Sequence, residues 1–431
     1  FIDLEVLIAR GLLMKAECDA ADLGSDAQDI DYEKQYFNRF PLLKKAFERW
    51  KKQQKKKGRG EKKLRELFEY ALTADTREYC FYMAVKNHFE GKSFLLWDED
   101  IRLRKGEAVA RYREQLSDEI GFYEFQQIKF EEQWERLKGY ANSQGIRLVG
   151  DIPIYVAFDG ADSWAHPELF QFDEKNEPVA VAGCPPDAFA ATGQLWGNPL
   201  YNWEYHRETG YDWWMKRMVY SFKLYDQVRV DHFRGFDAYY SIPYGDPTAE
   251  FGHWEPGPGM ELVEALRSVP GLALIAEDLG DLDADALHFI ADSGLPGMKV
   301  LVYAFDPAGE SAYLPHNCPR DAVIYTGTHD TPTFVQWLFE QAAPAERDYA
   351  FDYLRLREDE GFGWGAVCGA WMSPCRLAIA PMQDLLGLGG DARVNTPGTA
   401  GPRNWSWRVR QEALNPSVSG RLAHITRTYR R

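Results

Sequence analysis

Three carboxylates stand where apolar runs end: Asp231 after Gln-Val-Arg-Val, Glu277 after Leu-Ala-Leu-Ile-Ala, and Asp330 just beyond Val-Ile-Tyr-Thr-Gly-Thr-His. Cleaving a glycosidic bond with retention takes two carboxyl groups about 5 to 5.5 Å apart, one to attack the anomeric carbon and one to protonate the leaving oxygen. A third can stabilise the oxocarbenium-like charge. Arg229, two residues before Asp231, projects to the same side of a strand and would hold Asp231 ionised as a nucleophile. Glu277 must instead start protonated, which calls for burial or a weaker positive field. His329, beside Asp330, is suited to hydrogen-bond a sugar hydroxyl. Taken singly, each acid has a structural explanation: an Asp231–Arg229 ion pair, Glu277 with Asp278 opening a helix, or Asp330 capping one. Three acids at separate strand ends, beside Arg229 and His329, favour catalysis.

Acids in such places need parallel strands to carry them, because strands buried on both faces read as continuous apolar stretches and their C-terminal ends line the active site of a barrel. Strand candidates fall at 146–156, 227–231, 272–276, 298–305, 322–325 and 377–380, with helical stretches such as 261–268 and 283–293 between them. Repeated βα units of this kind predict an α/β fold, a (β/α)8 TIM-type barrel with helical insertions, although two of the eight strands are not visible. Residues 1–140 carry apolar spacing of three and four, as at 36–50 and 64–89, and are expected to form a helical insertion subdomain leading into a catalytic barrel over 141–431. Trp134, Leu137 and Ala141 mark one face of a helix that Gly145 should stop. Two long loops rich in aromatics and turn residues, 183–203 and 253–260, are expected to serve the active site, where Trp196 and Trp254 could stack on sugar and exclude water.

A net charge of −16 repels phosphate backbones and anionic membranes, so neither nucleic acid nor membrane is an expected partner. The basic run from Lys51 to Lys63 reads as a solvated helix end or loop. No apolar stretch reaches the roughly 18 to 20 residues of a membrane helix. Six widely spaced cysteines without a Cys-x-x-Cys pair, and nine histidines without His-x-His or His-x-x-x-His, predict no metal and no cofactor. They fit free thiols in the cytoplasm, or in a plastid if the source is a plant or alga.

The motifs resemble those of glycoside hydrolase family 77, the 4-alpha-glucanotransferases of the alpha-amylase clan. Arg-Val-Asp-His-Phe-Arg-Gly, Ala-Glu-Asp-Leu-Gly and Thr-Gly-Thr-His-Asp-Thr are similar to the nucleophile, acid/base and stabiliser motifs of that family. Gly-Asp-Ile-Pro-Ile-Tyr-Val, Pro-Pro-Asp with Thr-Gly-Gln-Leu-Trp-Gly-Asn-Pro-Leu-Tyr, Trp-Glu-Pro-Gly-Pro-Gly, Met-Lys-Val-Leu and Asn-Thr-Pro-Gly-Thr also match. The resemblance implies Asp231 as nucleophile, Glu277 as acid/base and Asp330 as stabiliser. It implies sugar subsites that include Asp151, Tyr155, Asp187, Trp196, Arg229, Trp254, Asp278, Tyr303, His329 and Asn395. Implied partners are α-1,4-glucans (maltooligosaccharides, starch, glycogen) and glucose. Two departures stand out. The family's first two barrel strands have no counterpart here, so the chain resembles a member lacking its N-terminal part, and Phe158 stands where many relatives carry His. A glucan-binding protein without turnover is the alternative reading.

Overall fold

The computed structural model of the chain describes residues 2–186, 191–280 and 282–431. The chain forms two compact units, one of Phe1–Ala21, Arg39–Leu274 and Leu282–Ser293, the other of Asp22–Asn38, Ile275–Asp281 and Gly294–Arg431.

The first unit is helical as far as Ser143 in its described elements, and its longest helix is Ser117–Ser143, 27 residues. Phe47 and Trp50 of the helix Phe40–Lys56 pack on Phe125 of that helix, with ring centroids 5.5 and 5.4 Å apart. Gly121 permits this approach, since a Cβ there would stand 3.3 Å from the tip of Phe47. The basic run begins on the exit of Phe40–Lys56, where Lys51 pairs with Glu48 and Asp118. Gly145, at φ 77°, ends the long helix as its type leads one to expect.

Two sheets follow in this unit. Strand β1 (Val149–Ile152) is shorter than the expected 146–156, since Pro153 has no N–H to continue the ladder. Strands β2 (Ala180–Cys184) and β3 (Gln194–Pro199) come next, then β4 (Gln227–Val230), β5 (Ala238–Pro243) and β6 (His253–Pro256). β1 and β4 run parallel, with Asp151 opposite Arg229. The other four form an antiparallel sheet in the order β3-β2-β5-β6. The segments expected to be long loops, 183–203 and 253–260, therefore contain strands. Gly197, Asn198 and Pro199 in β3, and Pro256 in β6, gave them the composition of turns, and such residues are tolerated in short exposed strands.

Strand β7 (Leu274–Ala276) carries the chain from the first unit into the second, where β8 (Gly297–Val300), β9 (Ala322–Tyr325) and β10 (Leu377–Ile379) pair in parallel with β9 central. The apolar run 298–305 leaves the sheet after Val300 as a 3₁₀ turn, Leu301–Tyr303, because Leu301, Val302 and Phe305 drop into the core beside Phe334, Leu338 and Leu354. An unbroken apolar run does not say whether it is strand or turn. A strand is present in each of the six expected stretches, and β1 with β4 and β8 with β9 and β10 pair in parallel. Among the described residues, no helix is long and apolar enough to cross a membrane.

Candidate active site

In the first unit, β4 delivers Arg229 and Asp231 to one face, and the neighbouring β1 presents Asp151 beside them. Arg229, only 8% exposed, donates from one terminal nitrogen to Asp151 (2.6 Å) and from the other to Asp231 (2.8 Å). The carboxylates themselves remain open, at 40% and 41% side-chain exposure. A guanidinium keeps its charge at any working pH, and here it bonds both carboxylates at once. The chain then turns sharply at His232, a non-glycine residue at φ 51°. Burial and the nearby Arg234 push that imidazole down to about 4, so it is neutral near pH 7. Its ring stands perpendicular to Trp196, 5.0 Å away. Tyr155, buried, stacks on Tyr201 and lies 6.3 Å from Trp196. Trp254 is 41% exposed, and its ring is backed by the Arg234 guanidinium at 4.0 Å, a cation–π contact that supports the ring and leaves it open to solvent.

In the second unit, Glu277 follows β7 directly and is 8% exposed; its Oε1 accepts from the Leu279 N–H at 2.6 Å. Asp330 lies just beyond β9. Its Oδ1 accepts from the Asn395 side-chain amide at 2.7 Å, and its Oδ2 lies 3.2 Å from Nε2 of His329. The Asn395 N–H returns a bond to the His329 carbonyl (3.0 Å), and Arg393 donates to the Asp330 carbonyl (2.7 Å). Tyr303 belongs to the same cluster: burial first, and then the charges of Asp330 and Glu277, push its phenol up.

The structure thus gathers Asp151, Tyr155, Trp196, Arg229 and Asp231 in one unit, and Glu277, Tyr303, His329, Asp330 and Asn395 in the other. Trp254 belongs to the first unit and rests on Arg234. Asp278 turns to β8 instead, accepting from the Met298 N–H (2.5 Å) and meeting Lys299 (3.1 Å). That pairing explains its burial structurally, by tying the exit of β7 to the next strand. Asp187 lies outside the described residues. Sequence reasoning missed Arg393 and Trp405, whose ring is 5.0 Å from that of His329. Arg393 stands two residues before Asn395, the same spacing that singled out Arg229 before Asp231.

Carboxylates at the C-terminal ends of strands, one bonded to a guanidinium, in a unit that also carries a half-buried and an exposed indole, are the marks of a carbohydrate-active α/β enzyme. Comparison with known proteins makes the class specific. Residues 1–414 match the profile described as 4-alpha-glucanotransferase, glycoside hydrolase family 77. The 4-alpha-glucanotransferase of Streptococcus pneumoniae is 43% identical over 100% of this chain and 84% of its own length. That of Thermus thermophilus is 39% identical over 98% and 84%. The amylomaltase of Streptococcus agalactiae, solved in complex with acarbose, superposes with a TM-score of 0.94 at 37% identity, covering 100% of this chain and 86% of that one. The chain belongs to glycoside hydrolase family 77, the 4-alpha-glucanotransferases, and its α/β architecture is that family's (β/α)8 type.

Proposed function

We propose that this chain moves α-1,4-glucan segments from a donor such as a maltooligosaccharide, starch or glycogen to the 4-hydroxyl of an acceptor glucan or of glucose, by double displacement. Asp231 attacks the anomeric carbon as the bond to the leaving 4-oxygen breaks, and Glu277 gives that oxygen its proton. The acceptor's 4-hydroxyl then passes its proton to Glu277 and attacks the same carbon, releasing Asp231 as carboxylate. Asp330 steadies the positive charge that the sugar carries in both transition states. Arg229, shared between Asp151 and Asp231, is the observation that carries the assignment, since a nucleophile must be anionic before substrate arrives. The burial of Glu277 supports the complementary role, because removal from water favours the protonated acid. Trp196, Trp254 and Tyr155 offer faces and edges to sugar rings, and Asp151, Tyr303, His329 and Asn395 offer polar contacts; Asp187 and Asp278 remain in the proposed subsites through the resemblance alone.

Transfer outruns hydrolysis only if acceptor sugar displaces water from the covalent intermediate. Incubated with maltotriose, the enzyme is expected to give glucose together with chains longer than the starting trisaccharide. Glucose and maltose alone would overturn transfer in favour of hydrolysis. The comparisons favour turnover over the reading as a binding protein, since the relatives are named as transferases. Six cysteines spaced without a Cys-x-x-Cys pair fit a reducing compartment, the cytoplasm or a plastid stroma.

A further inference from the structure

Behind the second cluster lies a carboxylate that the chemistry above does not use. Asp384 sits in the short helix Met382–Leu386 and is 0% exposed. Its Oδ2 accepts from the Thr326 hydroxyl (2.5 Å) and its Oδ1 from the Phe334 N–H (2.8 Å). These partners are the two feet of one loop. Thr326 is the first residue past β9, where its N–H still bonds the Ile379 carbonyl (3.1 Å), and Phe334 is the first residue of the next helix. Between them lie His329 and Asp330. The loop is also tied internally: Thr331 Oγ1 accepts from the Thr328 N–H (2.8 Å), and Thr328 Oγ1 from the Asp330 N–H (3.2 Å).

The residue before Asp384 grips the other side. Gln383, 5% exposed, donates from Nε2 to the Ala392 carbonyl at 3.0 Å, immediately before Arg393 and Asn395, the two residues that bond Asp330. The short helix has little room to shift, because a Cβ on Gly363 would fall 2.1 Å from the Asp384 carbonyl oxygen. A buried carboxylate is costly unless it is well bonded, and here both oxygens are spent on one loop.

We propose that Gln383 and Asp384 act as a positioning clamp: Asp384 holds both feet of the loop bearing His329 and Asp330, and Gln383 registers against it the segment bearing Arg393 and Asn395. The clamp rests on the functional reading of Asp330, and neither residue touches substrate. Its purpose is to hold the stabilising carboxylate in one place for the reacting sugar. A misplacement of about 1 Å made away from the chemistry can cost on the order of 100-fold in rate.

Thr326→Val tests the clamp by removing one donor at nearly constant shape. With maltotriose as donor and acceptor, kcat is expected to fall roughly 10- to 100-fold while KM stays within about twofold, since the loss is felt in the transition state. Thr326→Ser, which keeps the hydroxyl, should restore the rate, whereas Thr326→Val also lowers the thermal midpoint, since it leaves an Asp384 oxygen buried without its donor, and its kcat is read well below that midpoint. Asp384→Asn and Gln383→Leu should lower kcat in the same pattern, and Thr326→Val carries the test if Asp384→Asn fails to fold. An active wild type with an equally active Thr326→Val variant overturns the clamp alone, as does a loss in Thr326→Val that Thr326→Ser does not recover. An inactive wild type overturns the functional reading and the clamp together.

Discussion

Asp231 and Asp330 are both aspartates at strand exits, yet the molecule holds them by opposite means. Asp231 is bonded to a guanidinium that it shares with Asp151, so a permanent charge faces its carboxylate. Asp330 is bonded by the neutral amide of Asn395 and meets the His329 imidazole, while Arg393 donates to its backbone carbonyl and acts on its carboxylate through space. Glu277 likewise accepts from a neutral backbone N–H. The difference follows the chemistry required of each. A nucleophile has to be anionic before the sugar arrives, whereas an acid that passes its proton back and forth is poorly served by a fixed cation, and a stabiliser needs placement above all. In one cluster a guanidinium bonds the carboxylate directly; in the other a side-chain amide and a backbone N–H are among the groups that do.

The largest effect should come from Asp231→Asn. Without an attacking oxygen no covalent intermediate forms, and the initial rate of maltotriose redistribution should fall roughly 10⁴-fold or more. Arg229→Gln asks whether charge is what matters in that cluster. Its kcat/KM should fall on the order of 100-fold, and the acid limb of its pH profile should move to higher pH, since protonating Asp231 no longer works against a cation at 2.8 Å. Arg229→Lys should recover part of the rate, because one ammonium serves two carboxylates less well than a fork. Asn395→Ala should cost about 10-fold in kcat without moving the acid limb. If Arg229→Gln left the pH profile in place, or Asn395→Ala displaced it, the contrast between the two clusters would fail.

Much of the first cluster was legible because it is local: Arg229 and Asp231 lie two apart on a strand, and strand periodicity alone puts them on one face. Asp151 came only through the resemblance, since its pairing with Arg229 depends on β1 lying beside β4. The second cluster was less legible for the same physical reason. Asn395 meets Asp330 across 65 residues of sequence, and Arg393 and Trp405 reach the site through a segment without regular structure. The six strands were visible because burial on both faces leaves continuous apolar runs. The antiparallel sheet that carries Trp196 and Trp254 was hidden by Gly, Asn and Pro in its short strands. Asp384 was invisible in principle, since a buried carboxylate in Met-Gln-Asp-Leu-Leu looks like any polar residue on a helix.

The smallest effect concerns stability and extends the comparison to acid. In the first unit His206 is 0% exposed; its Nε2 meets the Leu169 carbonyl at 3.2 Å, and its Nδ1 has no hydrogen-bond partner among the described residues. Burial pushes it from 6.5 down to about 4. A folded value below the unfolded one means that the unfolded chain binds the proton first, so the contribution is whole above pH 6.5 and is lost as pH falls toward 4. In the second unit Asp384 is shifted the other way, raised by burial, so acidification favours its folded form where it penalises that of His206. Urea unfolding followed at pH 7 and again at pH 5 should show wild type losing about 2 kcal/mol more than His206→Gln, which keeps an N–H for Leu169 and does not titrate. If the two proteins lost stability in parallel, His206 would not be the group that makes the first unit sensitive to acid, and His232, held neutral by the same burial, would be the next to replace.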